Sequence, residues 1–256
     1  MQTAAHSRRG SLLMGATLPL CVLLLSLGTA TLYIAEPEGR DGSPSRPQNI
    51  MTVDGDGDVA ATIIPVTDYL AMLLVNEVPF PGEPSYTSAE DSKAAMEAIV
   101  WVIERRRREM PKGYTRRQVA ATDSTDVIDI MTAANQMDGF MMTPDGCHTA
   151  APRVTERLAY LRKLSARGTM PVITELLDYA DTTAQAYIQT RTLPRPEPFT
   201  KLKRIDKTDV TGSAYGWMTD DAIYHPGGNF VRIPDKDGGS LGGNRFFTLR
   251  RTPLKK

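Results

Sequence analysis

The chain has 256 residues, enough for one sizeable domain with appendages. Its 41% hydrophobic and 23% charged residues are ordinary for a folded protein. Thirty basic residues balance thirty acidic ones, which removes a whole-protein electrostatic case for binding nucleic acid. The two cysteines, Cys21 and Cys147, are far apart and do not describe a disulfide scaffold.

Arg8 and Arg9 precede the apolar run "GSLLMGATLPLCVLLLSLGTATLYIA", and no charge intervenes between Gly10 and Glu36. About 20 apolar residues cross a bilayer, so residues 1–35 read either as one transmembrane helix or as a signal sequence cleaved after Gly28-Thr29-Ala30. With the arginines before the run and Glu36 and Glu38 after it, the N-terminus is expected in the cytoplasm and the remainder outside, in the periplasm. A cleaved signal would give a secreted protein instead. Residues 36–64 are rich in Pro, Gly, Ser and Asp and read as a flexible linker. The "DGDGD" within it fails as a calcium loop, because counting from Asp54 the sixth position is Val59 and the twelfth is Pro65.

The working domain is expected over residues 65–256. Thr67 or Asp68 caps a helix over "YLAMLLVNEV", and Pro79 and Pro81 stop it. Ser88 caps a second helix, "AEDSKAAMEAIVWVIERRRREM", whose Ala95, Met96, Ile99, Val102 and Ile103 form a core stripe. Arg105 to Arg108 close it at the negative pole of the dipole, as a solvated helix end or, alternatively, an anion-binding patch. Further helices are expected at 122–136, 152–167 and 170–190, with "MDGFMMTPDGCHTAAP" as loop. The segment "RTLPRPEPF" reads as a linker or lobe boundary. Short strands follow at "AIYH", "NFVRI" and "RFFTLRR". Helices first and short strands last imply an α+β domain, mainly helical with a small C-terminal β lobe.

Chemistry is limited by histidine supply: beyond His6, only His148 and His225 are present. A zinc site drawn from Asp145, Cys147, His148 and His225 matches no ligand spacing, and a Cys147–His225 nucleophile pair lacks a helix start at the cysteine. No metal and no cofactor is expected. Glu77 is the acid that stands out. Leu70, Leu73, Leu74 and Glu77 share one helix face, which places a carboxylate at the end of an apolar stripe. Burial there would raise its pKa and keep a proton available for general acid work. The competing reading pairs Glu77 with one of the arginines at 105–108.

"LLVNEVPFPGE" followed by "KAAMEAIVWVIERRR" resembles the opening of the SleB-like cell wall hydrolases, which act on spore cortex and peptidoglycan. The run Glu97-Ala98-Ile99-Val100-Trp101-Val102-Ile103-Glu104-Arg105 is similar to that family's second helix. "NQMDGFMM" around Gln136 and Phe140, "AIYHP" at Tyr224 and His225, and "LGGNRFF" follow in the family's order, with Asn244 where a histidine is usual. The resemblance implies a lysozyme-like fold and a peptidoglycan glycosidase. Glu77 would protonate the oxygen between N-acetylmuramic acid and N-acetylglucosamine, as a lytic transglycosylase or a muramidase. It assigns Gln136, Phe140, Tyr224, His225, Asn244 and Phe246 to the glycan strand and attributes the cleft to the Pro79-Phe80-Pro81-Gly82 break. A single prominent acid suits the transglycosylase route, whose nucleophile is the sugar's own hydroxyl. The alternatives are a catalytically inactive peptidoglycan-binding or scaffold component of an envelope assembly, and a phage lysis protein.

Overall fold

The structure, a computed structural model, describes residues 50–51, 61–62, 64–108, 110–143, 148–193, 195–219 and 227–253. All of them belong to one compact unit, Arg46–Lys256. The expected N-terminal span lies outside the described residues, as do Asp145, Cys147, Tyr224 and His225. Among the described residues no helix is long and apolar enough to cross a membrane.

In chain order the elements begin with a small antiparallel pair, β1 (Ile50–Met51) and β2 (Ala61–Thr62). Four helices follow: α1 (Val66–Glu77), α2 (Ala89–Arg107), α3 (Arg116–Ala120) and α4 (Val127–Met131). A short hairpin, β3 (Phe140–Met142) with β4 (His148–Ala150), leads to α5 (Pro152–Ala166) and α6 (Pro171–Thr190). The C-terminal part supplies β5 (Arg204–Ile205), β6 (Thr208–Thr219), β7 (Phe230–Arg232), β8 (Ser240–Leu241) and β9 (Asn244–Arg250). These form an antiparallel sheet in the order β5-β6-β9-β7, with β8 also on β9. The protein is α+β, helices before sheet.

Helix α1 is apolar almost all round, and Tyr69 to Val75 are buried without a break. A helix of that kind can sit only at the centre, and α2, α5 and α6 surround it. Helix α2 faces α6 on one side and β6 on the other, so it carries the contact between helices and sheet. The Ser88 hydroxyl accepts from the backbone N–H of Asp91, the cap its position predicts. Helix α1 begins earlier than Thr67 or Asp68 would set it, with Pro65 as its cap residue.

Other expectations change in the folded chain. The helix expected at 122–136 is only α4, capped by Asp126, whose carboxylate accepts from the N–H of Ile128. The loop "MDGFMM…HTA" contains the β3–β4 hairpin. Strand β6 is the longest and has no simple alternation, because register breaks between Val210 and Ala214 and between Ala214 and Gly216 interrupt its pairing with β9. Gly212 makes the first irregularity possible: its φ is +87°, and a Cβ there would lie 2.5 Å from the carbonyl oxygen of Leu202. The segment "RTLPRPEPF" is not a lobe boundary. Phe199 is fully buried, Glu197 accepts from Arg105, and the carbonyl of Arg195 accepts from the Trp101 indole, so it is strapped onto α2.

The arginine run is only partly the solvated helix end expected: Arg108 is exposed, Arg105 and Arg107 are half-buried, and all three are paired. Arg105 Nε donates to Glu197 at 2.8 Å, and the Arg107 and Arg108 Nε atoms donate to Glu104 at 2.9 and 2.5 Å. Arg106 is buried beneath the sheet. Buried Glu97 and Glu104 on the same helix demand such partners, since an unpaired carboxylate in a core costs several kcal/mol, on the order of the desolvation of an ion.

Candidate functional site

The end of α1 is built from distant parts of the chain. A helix leaves its last carbonyls without intrahelical donors, and here side chains supply them. Arg157 of α5 donates to the carbonyls of Val75 and, at 3.0 Å, Val78, and its Nε donates to the Glu83 carboxylate at 2.9 Å. Glu83 in turn accepts from the N–H of Phe80 at 2.7 Å. Asn244, at the start of β9, donates its amide to the carbonyl of Glu77 at 2.7 Å and to that of Gly242 at 3.0 Å. These bonds hold the last turn of α1 and set the direction of the Glu77 side chain.

That side chain is partly buried and lines a cleft of about 1230 Å³. Trp217 of β6 donates its indole N–H to Glu77 Oε2 at 2.8 Å, and Asn76 donates to Oε1 at 3.1 Å. The partner of Glu77 is therefore an indole, and the arginines at 105–108 are committed elsewhere. Burial pushes the Glu77 carboxyl pKa above its ordinary value, against the lowering effect of the Trp217 and Asn76 hydrogen bonds. Nearby Asp138 adds a smaller upward push, and Arg153 a smaller downward one. A carboxyl raised by burial, yet hydrogen-bonded and open to a cleft, holds its proton to higher pH than an ordinary carboxyl and can exchange it with what the cleft admits.

Much of the remaining cleft wall is the segment from α4 through β3. Gln136 and Phe140 line it together with Glu77, as do Asp129, Thr132, Asp138 and Arg153. Phe140 is buried and meets Tyr69 of α1 edge-on, with ring centroids 5.3 Å apart. Met141 and Met142 form an exposed apolar lip, 48% and 56% accessible. Pro79 to Gly82 do not border the cleft. The break they make is locked to α5 through Arg157 and Glu83, so the cleft arises from the α4–β3 segment and the end of β6.

Two residues that the resemblance assigned to the glycan strand sit elsewhere. Asn244 is fully buried and acts on the backbone of α1 rather than at the cleft surface. Phe246 is fully buried against Phe199, ring centroids 5.5 Å apart, in the core between sheet and helices. Both follow from β9 being the central partner of β6, with no face left to solvent at its start. Tyr224 and His225 lie outside the described residues.

Trp217 is the residue that reading the sequence missed. It sits in an unrecognised, irregular strand, and only its approach to an acid 140 residues earlier marks it. Asp129, Asp138 and His148 were also not seen as neighbours of the cleft. His148 Nδ1 lies 3.0 Å from the Thr132 hydroxyl, which also reaches the carbonyl of Ile128 at 2.8 Å. A carbonyl only accepts, so both contacts form when Nδ1 carries the proton. Nε2 then faces Asp129 at 3.8 Å; burial lowers the imidazole pKa, and Asp129 and Asp126 oppose that. Among the described residues no three His, Cys, Asp or Glu side chains assemble as a metal site. No protein-family model, no curated protein and no solved structure matches the chain.

Proposed function

We propose that the protein is a membrane-tethered peptidoglycan glycosidase of lysozyme-like fold, working outside the cytoplasm, with Glu77 as general acid and then base. The observation that carries this reading is Glu77 itself: a carboxyl of raised pKa, oriented by Trp217 and Asn76, on the wall of a cleft lined by polar and apolar groups. Peptidoglycan offers such a cleft both sugar hydroxyls and the apolar faces of the rings. Gln136, Asp129 and Thr132 supply polar groups, and Phe140, Met141 and Met142 supply apolar surface. Proton donation to the bridging oxygen between N-acetylmuramic acid and N-acetylglucosamine leaves Glu77 as a carboxylate, which then takes a proton from the sugar's 6-hydroxyl or from water.

Glu77 is not the lone acid of the cleft: Asp129 and Asp138 line it too, and either carboxylate could activate water, so hydrolysis stands beside transglycosylation. The ends of the products distinguish the routes. Full-length protein in detergent, incubated with purified wall, should release muropeptides carrying anhydro ends by transglycosylation or reducing ends by hydrolysis. Glu77→Gln should lower the rate by about 10²–10⁴-fold, the usual contribution of a positioned acid. Sedimentation with the wall without any cleavage by wild type would replace the enzyme with a wall-binding component, and a fully active Glu77→Gln would move the acid elsewhere.

A further inference from the structure

The three buried charges of α2 are not treated alike. Glu97 accepts from the Tyr179 hydroxyl and has Arg195 Nε at 3.4 Å. Glu104 accepts from Tyr187 at 2.8 Å and pairs with Arg107 and Arg108. Arg106, only 5% exposed, forms no ion pair among the described residues. Its Nε donates to the carbonyl of Tyr215 at 2.8 Å, and its Nη1 has no hydrogen-bond partner among them. Burial alone lowers its pKa to about 10. A guanidinium kept in the core with so little compensation is costly, so a reason for its presence must lie in what it touches.

It touches the back of the site. The Arg106 guanidinium carbon lies 5.6 Å from the centre of the Trp217 ring. The guanidinium also lies against the neighbouring backbone: a Cβ on Gly216 would meet Arg106 Nη2 at 3.6 Å, an ordinary van der Waals contact. The same Trp217 gives its N–H to Glu77. We propose that Arg106 is a positioning residue for Glu77 and acts through Trp217, holding the indole by its ring so that its N–H stays aimed at the carboxylate. A cation over an aromatic face also draws electron density toward itself, which makes the indole N–H a stronger donor. Three groups thus stand in series, Arg106 of α2, Trp217 of β6 and Glu77 of α1, and the strength of the last contact depends on the first. The charged groups felt directly by Glu77 are Asp138 and Arg153, both lining the cleft, and Arg106 is not among them.

The proposal rests on Glu77 being the acid of the cleft, and it can be measured without any turnover. The Glu77 carboxyl is titrated by carbon NMR in the full-length chain, its signal identified by loss in Glu77→Gln. Trp217→Phe removes the N–H and should move the Glu77 pKa upward. Arg106→Gln keeps a donor for the Tyr215 carbonyl but removes the cation, and should move it upward as well. The double variant should show no further shift beyond Trp217→Phe. An unchanged Glu77 pKa in Arg106→Gln overturns the proposal. So does an equal Arg106→Gln shift in the Trp217→Phe background, which would mean a direct field instead of a relay. If Arg106→Gln does not fold, the Arg106 N–H proton signals decide: they should be displaced by the Trp217 ring current in wild type and return in Trp217→Phe. The same position in both overturns the contact. Absent wall cleavage with these shifts intact would refute the glycosidase and leave the relay standing, whereas turnover with unchanged titration would refute the relay alone.

Discussion

At the scale of single residues, Glu77 is held between opposing terms. Burial disfavours its charge, while Trp217 and Asn76 hydrogen bonds favour it, and burial wins. A carboxyl whose pKa in the folded chain is raised above the ordinary 4.5 contributes stability that is fully present below that value and is lost as pH rises through the raised pKa. Glu77→Gln removes the ionisation and keeps an oxygen to accept from Trp217. The variant should therefore be at least as stable as wild type in neutral solution, with the gap closing toward pH 4 or below, about where both chains carry a neutral side chain. Urea midpoints at acid and neutral pH measure it. A variant weaker than wild type at neutral pH would mean that the charged form is favoured after all. The helix pattern alone placed Glu77 at the end of a buried stripe. It could not reveal the indole partner, because hydrogen-bond partners distant in sequence leave no local mark.

At the scale of elements, the end of α1 is the joint on which the site depends. Its boundary was legible, since Pro79 and Pro81 lack the N–H that would continue a helix. What holds the end in place was not. Arg157 reaches it from α5, bonding the carbonyls of Val75 and Val78 and the Glu83 carboxylate, and it stacks over Phe80 with its guanidinium carbon 5.4 Å from the ring centre. Arg157→Ala should cost about 2 kcal/mol, because it strands carbonyls and one carboxylate that a charged donor had satisfied. The same change should loosen Glu77 and lower turnover more than the stability loss explains. Urea unfolding and wall digestion on one preparation test both halves; a change below about 0.5 kcal/mol, typical of an exposed surface site, would show the contact to be idle. Strand β6 teaches the complementary lesson. Its two register breaks and Gly212 hide the period of 2 that marks a strand, so Trp217 was invisible as a strand residue.

At the scale of the whole molecule, α2 joins helices to sheet, and its buried charges make the fold sensitive to acid. Burial would raise the Glu104 carboxyl, but hydrogen bonds from Arg107, Arg108 and Tyr187 outweigh it and hold the pKa down at about 2, from 4.5. A depressed carboxyl contributes stability above its unfolded value of 4.5 that disappears as pH falls toward 2. That difference corresponds to roughly 3 kcal/mol. Wild type should lose stability steeply across this window, while Glu104→Gln, weaker at neutral pH, should lose much less. Denaturation midpoints followed from neutral to acid pH would show it, and parallel curves for the two chains would sink the assignment. By itself the amino-acid sequence determined the order of helices and sheet, most helix limits and the burial of α1, because caps, prolines and apolar periodicity act between near neighbours. Only the tertiary structure decided what surrounds Glu77. Trp217, Asn244 and Arg157 reach the end of α1 from 140, 167 and 79 residues away, and such contacts arise from how packed elements meet, which no local pattern encodes.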